Sequence, residues 1–118
     1  MEAYLDGVAG RLAAGDALTL AATDRASGAF LGTTMLFGFG PSGRAEVGFW
    51  LGPGARGRGL GAATIALTLR WGFDELGLAR IEGLTAPANA ACRAAMQRAG
   101  MRRRADRTGF VVYASDED

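Results

Sequence analysis

Residues 46–61 read Glu46-Val47-Gly48-Phe49-Trp50-Leu51-Gly52-Pro53-Gly54-Ala55-Arg56-Gly57-Arg58-Gly59-Leu60-Gly61. The first part alternates. Ala45, Val47, Phe49 and Leu51 fall on one face of a strand over Arg44–Leu51, and Glu46, Gly48 and Trp50 on the other. The glycine run breaks the strand. From Gly61 onward Ala62, Ile65, Ala66, Leu69, Gly72, Phe73 and Leu76 recur on one face of a helix, which Gly77 ends. A strand, a glycine-rich loop and a helix in that order aim backbone N–H groups and the positive end of the helix dipole at one point, which favours a phosphate. The glycines let the main chain approach such a ligand, and Arg56 and Arg58 add charge-assisted bonds. The plainer alternative is a flexible turn with two solvated arginines.

Two familiar phosphate loops do not fit. Gly52, Gly54 and Gly57 satisfy a dinucleotide-type G-x-G-x-x-G, with Asp74 downstream, but that acid falls in the last turn of the expected helix instead of at a strand end. A Walker loop would need Gly-Lys-Ser/Thr at its close, and this loop has none.

Outward from the loop, Leu18, Leu20 and Ala22 alternate with Thr19, Ala21 and Thr23; the Ala26-Ser27-Gly28 turn and the run Phe30–Phe39 complete a hairpin. Leu5, Val8, Ala9 and Leu12 recur at helical spacing before Gly15, which predicts a short amphipathic helix over Glu2–Ala14. Downstream, Arg80–Ala86 reads as a strand stopped by Pro87. Asn89 caps a helix whose Cys92, Ala95, Met96 and Ala99 face inward, and Gly100 closes it. Strands over Met101–Asp106 and Phe110–Ala114 follow. The expected fold class is α+β, a mixed and mainly antiparallel sheet flanked by helices, in one domain over residues 1–118.

Composition narrows the function. The 118 residues are 49% hydrophobic and 21% charged, with a net charge of +1. That balance is ordinary for a globular domain and speaks against generic nucleic-acid binding. One cysteine, Cys92, and no histidine exclude an internal disulfide and remove the commonest ligand of zinc sites, so no metal is expected. Each apolar run is interrupted by Gly, Asp or Arg, and no N-terminal signal pattern is present; a cytoplasmic protein away from the membrane is expected.

Four segments carry a resemblance. Glu46–Leu51, Arg56-Gly57-Arg58-Gly59-Leu60-Gly61, Gly77-Leu78-Ala79-Arg80-Ile81-Glu82, and Asn89-Ala90-Ala91-Cys92-Arg93 with Gly100-Met101 together resemble the GNAT superfamily of N-acetyltransferases, in the branch containing ribosomal-protein N-terminal acetyltransferases. The similarity runs from about Tyr4 to Tyr113. It implies that acetyl-CoA is the acetyl donor and that its pyrophosphate sits on Arg56, Gly57, Arg58, Gly59, Leu60, Gly61 and Ala62. It further implies that the strands before the loop and after its helix splay apart, with the pantetheine arm bonding backbone near Trp50 and Leu51.

The same resemblance suggests roles for single residues, each beside a plainer one. Asn89 would bond the pantetheine arm or a water, or act as a helix cap. Glu46 would be the general base, working through water, or a salt-bridged strand carboxylate. Cys92 stands where many relatives carry a serine that protonates the leaving thiolate; otherwise it is a small buried hydrophobe. Met96 replaces a tyrosine acid found in other members, and Tyr113 reads as a strand residue. Trp50 would shape an acceptor pocket or pack in the sheet, and Arg102–Arg104 read as a solvated edge in preference to an acceptor guide.

Ahead of Glu2 the family normally has a further strand and helix that help form the acceptor groove; the expectation is that the chain lacks them, either as a fragment or with a partner subunit covering the gap. An uncovered sheet edge and an apolar helix stripe then predict a homodimer. The expected activity is transfer of acetyl to a primary amine, on a protein N-terminus or a small molecule, by direct attack. The alternatives are a non-catalytic CoA-binding or oligomerisation module and, less favoured, a dinucleotide-binding module.

Overall fold

Alternation of apolar and polar residues produces the sheet that carries everything else. The computed structural model describes residues 3–11, 17–55 and 59–116. Its strands are β1 (Ala3–Arg11), β2 (Ala17–Asp24), β3 (Phe30–Gly40), β4 (Arg44–Leu51), β5 (Arg80–Thr85), β6 (Arg102–Arg103) and β7 (Val111–Asp116). The helices are α1 (Leu60–Leu76), between β4 and β5, and α2 (Ala90–Arg98), between β5 and β6. The sheet order is β1-β2-β3-β4-β5-β7-β6. Its one parallel pair is β4 with β5; the other pairs are antiparallel.

One face of this sheet is closed by the helices. Leu36 of β3, Ala45 and Val47 of β4, Ile81 of β5 and Tyr113 of β7 form a core with Ile65 and Leu69 of α1 and Met96 of α2. A second cluster joins Ala22, Leu31, Leu51, Ala55 and Leu60, and Phe49 packs against both. Full burial of a side chain such as Ile81 or Met96 contributes about 1.5–3 kcal/mol each. Gly83 of β5 lets α2 come close, since a Cβ there would lie 2.7 Å from Cε of Met96. Tyr113 is a buried strand residue, as the sequence predicts. The β2–β3 turn is held by buried Asp24, which accepts from the N–H groups of Ala26 and Ser27 at 2.8 and 3.0 Å. The Ser27 N–H is the main cause holding its carboxyl below the usual range.

Two expectations are corrected. The apolar spacing predicts that Ala62, Ala66 and Leu76 share the inner stripe of α1, but the buried face includes Thr64 and Thr68, and Leu76 is exposed. A threonine serves there because Thr68 finds partners: its hydroxyl meets that of Thr34 at 2.8 Å and donates to the carbonyl of Thr64 at 2.8 Å. Residues 3–11, predicted as helix, form a strand instead. The register shifts between Asp6 and Val8, so Leu5 opposes Ala22 and Val8 opposes Leu20. A bulge of this kind sets three residues of one strand against two of its partner and imitates helical spacing. The edge that the sequence reading leaves open beside β2 is therefore occupied. Leu12 and Gly15 lie outside the described residues. Among the described residues, no helix is long and apolar enough to cross a membrane.

Candidate functional site

The site is built on a ladder that stops early. Parallel pairing of β4 with β5 runs Arg44↔Arg80, Ala45↔Ile81 and Glu46↔Glu82. Beyond that rung β3 still holds β4 as far as Leu51, and β7 still holds β5 as far as Thr85. Each strand follows its outer neighbour, so the two diverge, as the resemblance implies. Gly32 makes part of this possible: it opposes Leu51, and a Cβ there would collide with the Trp50 carbonyl and lie 2.8 Å from the Leu51 Cα.

A cleft of about 600 Å³ opens from the divergence. Its walls bring together Trp50 and Leu51 of β4, Gly59, Leu60, Gly61 and Ala62 at the start of α1, and Asn89 and Cys92 at the start of α2. All eight are residues singled out from sequence. Phe49, Ala91, Ala94, Ala95 and Arg98 also line it; sequence reasoning missed them, although three of the five lie within or beside the quoted motifs. Arg56, Gly57 and Arg58 lie outside the described residues.

The start of α1 suits an anion. Gly59 takes a left-handed conformation, φ 74°, at the N-cap; no side chain caps the helix and its first turn holds no acid. The first N–H groups of α1 have no intrahelical acceptor by the geometry of any helix, and here the residues that carry them, Leu60, Gly61 and Ala62, line the cleft. Asn89 has the plainer role as an observed contact: its Oδ1 accepts from the Cys92 N–H at 3.1 Å, capping α2. Cys92 is half-buried, packs against the main core and lines the cleft. Trp50 is 50% exposed, so the packing role considered for it is not what the fold gives it.

Glu46 is not in the cleft wall. It sits at the closed end, on the last paired rung, on the sheet face away from the helices. Its Oε2 leans over Gly38, 2.8 Å from where a Cβ of that residue would stand. Among the described residues Glu46 has no ion pair. The structure thus separates Glu46 from Cys92 by the thickness of the sheet, with the gap between β4 and β5 joining the two sides.

The salt-bridged carboxylate is the next one along. Glu82, buried at 5% exposure, accepts from Arg44 at 2.8 Å and Arg107 at 2.7 Å on Oε1, and from Arg80 at 3.2 Å on Oε2. Burial pushes its carboxyl up, but hydrogen bonds from Arg80 and Arg107 and the charges of Arg44 and Arg107 outweigh it, and the group titrates below the usual range. Sequence gave no signal for this cluster, because Arg44, Glu82 and Arg107 are far apart along the chain. Of the three consecutive arginines, Arg103 pairs with Asp106 and Arg104 with Asp116, all exposed.

The family described as "Acetyltransferase (GNAT) domain" matches residues 1–102. No curated protein matches the sequence. Among solved structures, the ribosomal-protein-S5-alanine acetyltransferase from Vibrio fischeri superposes with a TM-score of 0.76 at 18% identity, over 86% of this chain and 62% of that one. RimJ of Mycobacterium smegmatis, in complex with CoA-disulfide, gives 0.76 at 24% identity, over 86% and 54%. A variant of the spermidine N-acetyltransferase SpeG from Vibrio cholerae gives 0.78 at 17% identity, over 88% and 66%. The chain thus spans less than two thirds of the length of each of the three.

Proposed function

The chain belongs to the GNAT acetyltransferase family, and we propose that it is an N-acetyltransferase moving an acetyl group from acetyl-CoA to a primary amine, on a protein N-terminus or a small molecule, by direct transfer. The observation that carries this reading is the divergence of β4 from β5 after Glu46↔Glu82, which opens a cleft leading to the uncapped start of α1. The N–H groups of Leu60, Gly61 and Ala62, with Arg56, Gly57, Arg58 and Gly59 of the loop, hold the donor's pyrophosphate. Main-chain groups at Trp50 and Leu51 and the side-chain N–H of Asn89 hold the pantetheine arm.

The chain's residues then manage two protons. Glu46 takes one from the acceptor amine through a water, so that the amine's lone pair can attack the thioester carbonyl. As the C–S bond breaks, the Cys92 thiol gives a proton to the departing thiolate, and the second proton, lost from the nitrogen as it becomes an amide, passes through solvent to restore the Cys92 thiol. N–H groups along the opened edge of β4 face the carbonyl oxygen as negative charge develops on it.

Calorimetric titration of acetyl-CoA tests the reading, with Arg58→Glu alongside. Micromolar binding that the variant loses supports it, and absence of binding by folded wild type sinks it. A second reading, a module that binds CoA without transferring acetyl, is favoured by the sheet face around Glu46, over which no helix lies among the described residues. Release of CoA thiol with an amine panel separates the two. The same half-exposed Trp50 and open face support a homodimer; a monomer in sedimentation at micromolar concentration would remove that part.

A further inference from the structure

Four guanidiniums share two carboxylates on the sheet face that carries Glu46. Arg44, Arg80 and Arg107 converge on Glu82, and Arg80 and Arg104 on Asp116. Neutralising one buried carboxylate takes a single cation; further cations repel one another and leave a local positive field. That field is reachable. Arg44 and Arg107 are 48% and 45% exposed and each places one N–H on Glu82 Oε1, which leaves the rest of each fork toward solvent.

Its position gives it meaning. Glu82 is the register partner of Glu46, so their side chains leave the same side of the sheet. Arg44 lies two residues before Glu46 on β4, about 7 Å along that same face. Glu46 itself leans the other way, over Gly38. An amine reaching Glu46 from the open face therefore has its neighbouring atoms over Arg44 and Arg107.

Resting on the acetyl-transfer reading above, we propose that Arg44 and Arg107 form the acceptor's anion site, and that the amine acetylated here carries an anionic group a few bonds from its nitrogen. A polycationic acceptor meets repulsion at the same place. The anion can belong to a free amino acid or to an acidic residue next to a peptide N-terminus.

The probes are N-acetyl-β-alanine against its amide, and the peptide acetyl-Ala-Asp-Glu against acetyl-Ala-Asn-Gln, titrated into the full chain while the arginine side-chain N–H signals are followed by NMR. At least one acid binds about tenfold more tightly than its amide and moves the Arg44 and Arg107 signals. Whichever pair shows the larger preference identifies the source. Arg44→Gln and, separately, Arg107→Gln reduce that preference and leave the acetyl-CoA Kd unchanged. Equal binding of acids and amides, or displacement of neither by acid but of both by spermidine, overturns the anion site while acetyl-CoA binding still stands. Loss of acetyl-CoA binding in the wild type overturns the underlying reading and this one with it.

Discussion

Glu46 and Glu82 are partners on the last rung of the β4–β5 ladder, yet of the two only Glu82 is ion-paired among the described residues. Like charges on adjacent strands destabilise a sheet unless something neutralises them. Arg44, Arg80 and Arg107 do so on one side only, which screens Glu46 from its neighbour and leaves it without an ion pair among the described residues at the vertex of the opened strands. This asymmetry gives Glu82 a structural role and leaves Glu46 available for the proton transfer proposed for it.

Glu46→Gln should lower kcat by about 10²-fold or more, the usual contribution of a positioned base, with little change in the Kd for acetyl-CoA. Steady-state thiol release together with calorimetry reads both. An unchanged kcat would remove Glu46 from the mechanism.

Glu82→Gln should destabilise the fold near neutral pH by about 2 kcal/mol, since three guanidiniums lose their shared counter-charge. The Glu82 carboxyl is lower in the folded chain than its usual 4.5. Its contribution is therefore complete above about pH 4.5 and fades as pH falls through the folded value. Urea melts from pH 7 downward should show the variant and the wild type converging in acid. A gap constant down to the most acid pH would contradict the assignment.

Gly32→Ala should cost about 3 kcal/mol or more, because the added methyl meets backbone at Trp50 and Leu51 and no flexible side chain can give way. Any folded remainder should bind acetyl-CoA poorly, the cleft wall having moved. A thermal midpoint within a degree or two of wild type would show that the strand accommodates the methyl.

Cys92→Ala should lower kcat by about 10²-fold if the thiol returns the proton, as proposed, whereas Cys92→Ser should retain most activity. Both variants should melt close to wild type, the side chain being only half-buried. Equal activity in all three would leave Cys92 as a packing residue beside the cleft.

Most of the fold was legible because burial in this chain follows period. The strand pattern of Arg44–Leu51 and the stops at Gly77 and Gly100 place β4, α1 and α2 to within a residue or two. The cleft residues from Gly59 to Ala62, with Asn89 and Cys92, were legible for a different reason: a glycine-rich helix start and a helix cap are local motifs. Residues 3–11 were misread because a bulge near Asp6 changes the period of a strand. Thr68 was missed on the inner face of α1 because only a partner on β3 makes its buried hydroxyl tolerable, and Thr64, whose buried hydroxyl meets no partner among the described residues, follows no apolar pattern.

By itself the sequence determined an α+β chain with a glycine-rich strand–loop–helix unit and Glu46 in the strand before it, since these depend on residues close together in the chain. Only the tertiary structure decided that Glu46 stands where two strands part, and that Glu82, Arg44, Arg80 and Arg107 meet beside it. Such pairings are set by sheet register, which brings together residues 38 positions apart, as Arg44 and Glu82 are; no local pattern encodes which distant charge will end up opposite another.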